Sequence, residues 1–314
     1  MLIVALPGGA HLAASMAQSL QCEWTELAVH TFPDGETLVR IDAPLEGRRV
    51  VLAGSLHHPD TKTLPLLFAA DAARELGASG VGLVAPYLAY MRQDRRFNPG
   101  EAITSRSYAR LLSTSLDFLL TVDPHLHRWH DLGELYPIRT LAIPAAPAIA
   151  RWLQENVDAP LLVGPDAESA QWVSDVARLA HAPWTVMTKT RHGDRDVSVS
   201  LPEDGPWSGR TPVLLDDIVS TGHTLLAAAA ALKERGLQAP LCITVHALFD
   251  SDALWKLMAG GITRVVSCDT IPHASNAISV RPLLADALRR LLEQPPAPSR
   301  PGPDGPEIAR VIQP

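Results

Sequence analysis

The sequence predicts an α/β protein made of two related halves, each a mainly parallel sheet flanked by helices. Three observations carry this. Short apolar runs alternate with helix-like stretches along most of the chain, as in strand-helix-strand units. The apolar runs are near-continuous rather than alternating, as when helices cover both faces of a parallel sheet. One strand-loop-helix-strand stretch also recurs. Gly47 opens GRRVVLAGSLHHPDTKTL, then a helix to Gly77 and the strand VGLVAPY; Gly209 opens GRTPVLLDDIVSTGHTL, then a helix to Gly236 and LCITVHALF. Both stretches run from Gly-Arg through an apolar strand and a Thr-containing loop to Thr-Leu at a helix start. A coincidence of generic units is the competing reading.

In chain order, LIVAL with PGG behind it reads as a buried strand and a turn. No Lys or Arg precedes Arg40, so the basic region of a secretory leader is missing. RRVVLAG, GVGLVAPY, FLLTVDP, PLLVGPD, TPVLLDD, LCITVHA and RVVSCDT read as strands; LPLLFAADAAREL, ARLLSTSL, AQWVSDVARLA and TLLAAAAALKERG read as helices. The Pro-containing turn AIPAAPAIA, Ile143 to Ala150, marks a boundary. The expected domains are 1–145 and 146–294. Residues 295–314 are Pro-rich, too poor in apolar surface to offset their ordering entropy, and are expected to be a mobile tail.

Composition narrows the class. The chain has 314 residues, 46% hydrophobic and 19% charged, so a sizeable core is assured. The net charge of -7 argues against a nucleic-acid partner held by bulk attraction. No apolar run reaches membrane-spanning length. Cys22, Cys242 and Cys268 are odd in number, far apart and without metal-ligand spacing. They read as reduced, structural thiols of a cytoplasmic protein.

The chemistry concentrates in LLDDIVSTGHTL, Leu214 to Leu225. Asp216 and Asp217 close an apolar strand; Ser220, Thr221, Gly222, His223 and Thr224 lead into a helix. In open α/β sheets ligands sit beyond the carboxyl ends of the strands. Free N–H groups at a helix start favour a phosphate, and ionised carboxylates accept from sugar hydroxyls or hold a metal. The combination suits a phosphorylated sugar. A plain side-chain N-cap by Ser220 or Thr221 is the alternative, but it leaves the two acids unexplained. No Gly-Lys-Ser/Thr follows, so this is not an ordinary P-loop.

DDIVSTGHT resembles the phosphoribosyl-diphosphate motif of type I phosphoribosyltransferases and ribose-phosphate diphosphokinases. FPDGETLVRI, PYLAYMRQDRRFNPGEAIT, TVDPH, GPD, KTR and CDTIP resemble diphosphokinase segments in the same order. The likeness spans roughly residues 1 to 290, and RRFNPGEAIT and KTRHGDRDV are most similar to the shorter, archaeal-like branch. The resemblance implies two tandem type I phosphoribosyltransferase-like domains, with ATP on the first and ribose 5-phosphate on the second. It implies transfer of the diphosphoryl group of Mg-ATP to the anomeric hydroxyl, giving phosphoribosyl diphosphate and AMP for nucleotide biosynthesis.

It also implies roles. Phe32, Asp34 and Glu36 meet adenine, though PDG is also a good turn signal. Arg92, Gln93, Asp94 and Arg95 serve ATP phosphates, where a solvated charge run is the bland reading. His125 lies at ATP and Mg2+, and Asp166 holds the Mg-diphosphate. His127 and His130 are expected on a helix surface; H-x-H by itself also fits part of a zinc site. Lys189 and Arg191 neutralise the transferring group from a flexible loop, an ordinary charged hairpin being the alternative. The departures are Pro124 for a common Leu, Glu168 beside Asp166, Ser220 for an acid, and His223 for a Gly. His223 is expected to tolerate a positive φ there. Relatives assemble, so a homo-oligomer is expected. A non-catalytic regulatory homologue and a type I phosphoribosyltransferase are the alternative functions.

Overall fold

In the computed structural model, which describes residues 1–126, 128–191, 197–200, 205 and 207–293, the chain forms two compact units. The first holds β1 (Leu2–Ala5), α1 (Ala10–Leu20), β2 (Glu23–Thr31), β3 (Thr37–Ile41), β4 (Arg49–Ala53), α2 (Asp60–Glu75), β5 (Gly80–Ala85), α3 (Thr104–Ser113), β6 (Phe118–Val122) and β7 (Arg139–Ile143). The second, Pro144–Val280, holds α4 (Ala146–Asn156), β8 (Pro160–Gly164), α5 (Ala170–Ala180), β9 (Trp184–Val186), β10 (Thr188–Arg191), β11 (Val197–Ser200), β12 (Thr211–Val219), α6 (His223–Glu234), β13 (Leu241–Ala247), α7 (Ser251–Ala259), β14 (Arg264–Cys268) and β15 (Asn276–Ile278). The last helix, α8 (Arg281–Glu293), belongs to the first unit.

The first sheet runs β3-β2-β1-β4-β5-β6-β7 and the second β9-β8-β12-β13-β14-β15. Every neighbouring pair is parallel except β2–β3. The repeat therefore extends over six strands in one order. Counting from the two Gly-Arg pairs, Val50 matches Pro212. Val50 pairs with Leu2, and Pro212 with Leu161. One residue on, Ile3 pairs with Trp24, and Leu162 with Trp184. Trp24-Thr25 and Trp184-Thr185 thus stand at the same place in the two sheets.

The strands read as continuous apolar runs are buried on both faces: β1, β5, β6 and β13 have no exposed residue. Gly82 of β5 pairs with Phe118 of β6, whose ring lies 2.0 Å from where a Cβ on Gly82 would sit. At the matching positions β13 and β14 carry Leu241 and Arg264. α3 starts at Thr104 rather than Ala109, because Ser105 and Tyr108 join Ala109 and Leu112 on its inward face.

The helices contradict the expected second domain of 146–294. α4 follows β7 in sequence but packs on α5 and β15 in the second unit. α8 follows β15 but packs on α1, β6 and β7 in the first. Leu284, Leu288 and Leu291 are buried there, Arg139 donates to the Leu291 carbonyl, and Arg289 donates to the Ser19 carbonyl at 3.1 Å. Each half gives its closing helix to the other. A cut at residue 145 falls within two residues of the observed break, but α8 lies on the far side of it. The tail 295–314 and His127 lie outside the described residues. No helix among those described is long and apolar enough to cross a membrane. Cys22, Cys242 and Cys268 carry thiols outside any disulfide, the last two buried.

Candidate active site

In the second unit, β12 is longer than its neighbour β8. Their pairing stops at Leu214 with Val163, while β12 continues beside β13 to Val219. Asp216 and Asp217 lie on this overhang, within the strand rather than after it. β8 ends at Gly164, and Asp166 begins the turn beyond it, its carboxylate accepting from the Ser169 amide at 3.3 Å. Asp217 accepts from the Ile218 amide at 2.8 Å. Burial, then the charges of Asp217 and Asp166, hold the Asp216 carboxyl well above the usual carboxylate range. The fold thus gathers Asp166, Asp216 and Asp217 at one open strand end. They make a like-charge cluster that a cation or sugar hydroxyls would relieve. Glu168 is exposed in the short turn after Asp166.

The loop behind the acids is built around Gly222. It has φ 73°, and a Cβ there would lie 2.7 Å from Leu257. Gly222 is the N-cap of α6, with no side-chain cap, so the plain Ser220 or Thr221 cap is not formed. Gly222 has no side chain to offer the first-turn N–H groups of α6. The positive φ expected at His223 falls on Gly222 instead, and His223 is the first residue of α6. Thr221 and His223 are exposed; Ser220 and Thr224 are half-buried. The geometry suits an oxyanion at the helix start beside hydroxyl acceptors.

Lys189 and Arg191 are not on a loop. Both sit on β10, paired with Val199 and Val197 of β11 in a two-stranded hairpin. Residues 192–196 of that stretch lie outside the described residues.

In the first unit, RQDR follows β5 and DPH follows β6, two adjacent strand ends. Asp94 joins them, its side chain meeting the Arg128 guanidinium at 3.6 Å. Arg128 was not singled out in the sequence; a lone Arg in DPHLHRWH has no spacing that marks it. Arg92 and Arg95 are exposed, and Arg95 lies over the Phe97 ring at 4.8 Å. The Ser105 amide donates to the Gln93 carbonyl at 3.4 Å, and His125 is half-buried. FPDGE forms the β2–β3 turn: Phe32 N–H donates to Glu36 O at 2.8 Å and Glu36 N–H to Asp34 at 3.1 Å. Phe32, Asp34 and Glu36 are exposed, with Phe32 edge-on to His30. Three strand spacings separate β2 from β5, about 14 Å. FPDGE thus follows a strand three places from the one that precedes RQDR. No group of three metal-binding side chains is assembled among the described residues.

Two parallel sheets of matching order, one with paired acids and a hydroxyl-rich loop at its open end, define a tandem phosphoribosyltransferase-fold protein. Residues 1–115 match the N-terminal domain of ribose phosphate pyrophosphokinase, and residues 134–283 match the phosphoribosyl transferase domain. The chain is 32% identical to a ribose-phosphate pyrophosphokinase of Methanopyrus kandleri, over 93% of this chain and 99% of that one. It is 34% identical to one of Halobacterium salinarum, over 88% and 96%. A phosphoribosylpyrophosphate synthetase structure from Mycobacterium smegmatis has the same fold, with TM-score 0.80 and 24% identity over 93% of this chain and 98% of that one. The chain belongs to the ribose-phosphate pyrophosphokinase family.

Proposed function

We propose that the chain makes phosphoribosyl diphosphate from ATP and ribose 5-phosphate, with the residues gathered above in the following roles. The anomeric oxygen attacks the β-phosphorus of ATP. The bond from that phosphorus to the α–β bridging oxygen breaks, AMP leaves, and the hydroxyl proton passes to solvent. The observation that carries this reading is the Asp216-Asp217 overhang beside the uncapped start of α6. The 5-phosphate sits on Thr221, Gly222, His223 and Thr224, and the ribose hydroxyls donate to Asp216 and Asp217, with Ser220 beside them.

Arg92, Gln93, Asp94, Arg95 and His125 serve ATP. Phe32, Asp34 and Glu36 hold adenine in a neighbouring copy of the chain, the strand that leads into them being three places from the one that precedes RQDR; the working form is then a homo-oligomer. Lys189 and Arg191 neutralise the transferring oxygens, because phosphoryl transfer relies on positioning and charge. The residues fit Mg2+, which keeps several waters and takes one or two carboxylates with substrate phosphates. In the second unit Asp166 would hold it, and in the first unit His125 would hold it where it accompanies ATP; the ion would supply charge neutralisation at the diphosphoryl oxygens.

The test is one assay: protein, ribose 5-phosphate, Mg-ATP and phosphate, with nucleotides resolved by chromatography. AMP should form only with the sugar, matched by phosphoribosyl diphosphate. Lys189→Ala should lower the rate by about 10²-fold or more. Binding of both ligands without AMP would indicate the non-catalytic homologue. A product requiring a base rather than ATP would indicate a phosphoribosyltransferase; the match of residues 1–115 favours the synthetase.

A further inference from the structure

The sheet register places β4, its following loop and α2 of the first unit where the second unit has β12, the acid-bearing overhang and α6. Gly54 and Ser55 stand where Asp216 and Asp217 would be. The acids are gone, and a basic group has taken their place. Lys62, in the first turn of α2, reaches back to the strand end. Its Nζ donates to the Ser55 carbonyl at 2.9 Å and lies 3.2 and 3.3 Å from the two ring nitrogens of His57. His57 Nδ1 is 3.2 Å from the Ser55 hydroxyl. Ser55 is buried, and His57 and Lys62 are half-buried.

Two groups that can each carry a positive charge are thus in contact, with no carboxylate bonded to either among the described residues. The other charged and titratable groups close in sequence are His58, whose ring is 5.3 Å from that of His57, and Asp60, which accepts from Tyr90. The charges are consequently frustrated. Burial, then Lys62, then His58 lower His57 to about 4. Burial lowers Lys62 to about 8. Once the imidazole is protonated, the ring and the ammonium supply donors only, and the Ser55 hydroxyl can add another. The missing member of such a group is an anion.

We propose that Ser55, His57 and Lys62 form a second oxyanion site, in the first unit, that takes a phosphate group. The site keeps the topological position of the phosphate loop in the other half but recognises its ligand through side-chain cations rather than through a helix start and hydroxyls. The phosphate can be inorganic or the phosphoryl group of a nucleotide. Either one adds negative charge beside His57, so binding draws a proton onto the imidazole.

The test uses the full chain and inorganic phosphate as the probe. The His57 ring signal, assigned by its loss in His57→Gln, is followed by NMR against pH, with chloride at equal ionic strength as the control. Phosphate should raise the His57 midpoint by about 1–3 pH units. Lys62→Gln should abolish the rise, and Lys62→Arg, which keeps the cation, should retain it. Thr221→Ala should leave the response intact, because that loop belongs to the other site. AMP is the second probe: the same rise at lower concentration than phosphate assigns the site to a nucleotide phosphoryl, and a rise with phosphate alone assigns it to the free ion. A His57 midpoint that does not move with either probe, moves equally with chloride, or moves equally in Lys62→Gln overturns the proposal.

Discussion

Asp216 shows what a residue reveals before and after folding. Its type and its neighbour Asp217 were legible, since two acids closing an apolar run have little structural use. The third carboxylate was not, because Asp166 lies fifty residues upstream and only the β8–β12 pairing brings it near. The raised proton affinity of Asp216 has a consequence with a definite sign. The native state holds a proton that the unfolded chain releases near pH 3.9. Stability therefore falls as pH rises from that value towards the higher native one, and the loss persists above it. Asp216→Asn removes this penalty. Chemical unfolding at neutral pH, without metal or phosphate, should show the variant more stable by about 0.5–2 kcal/mol. The gain should vanish near pH 3, while sugar binding is lost. Gly222 and His223 teach the complementary lesson. The sequence marks a tight turn, but only the backbone shows which residue bears the positive φ.

Elements were legible in proportion to their burial. β5 and β13, covered on both faces, stood out as unbroken apolar runs. β2 did not, because in EWTELAVHT only Leu27 is buried; β3 and the three-residue β9 carry equally weak patterns. The full extent of the repeat was hidden for the same reason, since its second anchor, Trp-Thr, lies on these weak strands. Packing differs between the copies where the scaffold does not. Gly82 is small because Phe118 fills its space, while Leu241 faces Arg264 at the same site. Gly82→Ala should therefore cost about 1–3 kcal/mol in urea unfolding, as overpacking does. Phe118→Val should recover part of that loss in the double variant, a coupling absent from changes placed on different strands.

The whole molecule was legible as two halves but not as halves that trade helices. Local patterns set where a helix is; which sheet it covers depends on chain-long connections. The exchange predicts where damage is felt. Leu288 is fully buried on α8, so Leu288→Ala should cost about 2–5 kcal/mol. Amide exchange should report it in α1, β6 and β7, with β12 to β14 unaffected, although residue 288 is closer in sequence to the latter. The exchange also orders the birth of the protein. A ribosome delivers the second unit as one uninterrupted segment, complete once Val280 has emerged. The first sheet is made earlier yet waits, with α1, β6 and β7 uncovered, until α8 follows the second unit. The half translated first is the half finished last. Any chain released early leaves it with an open apolar face, the kind of surface that chaperones bind.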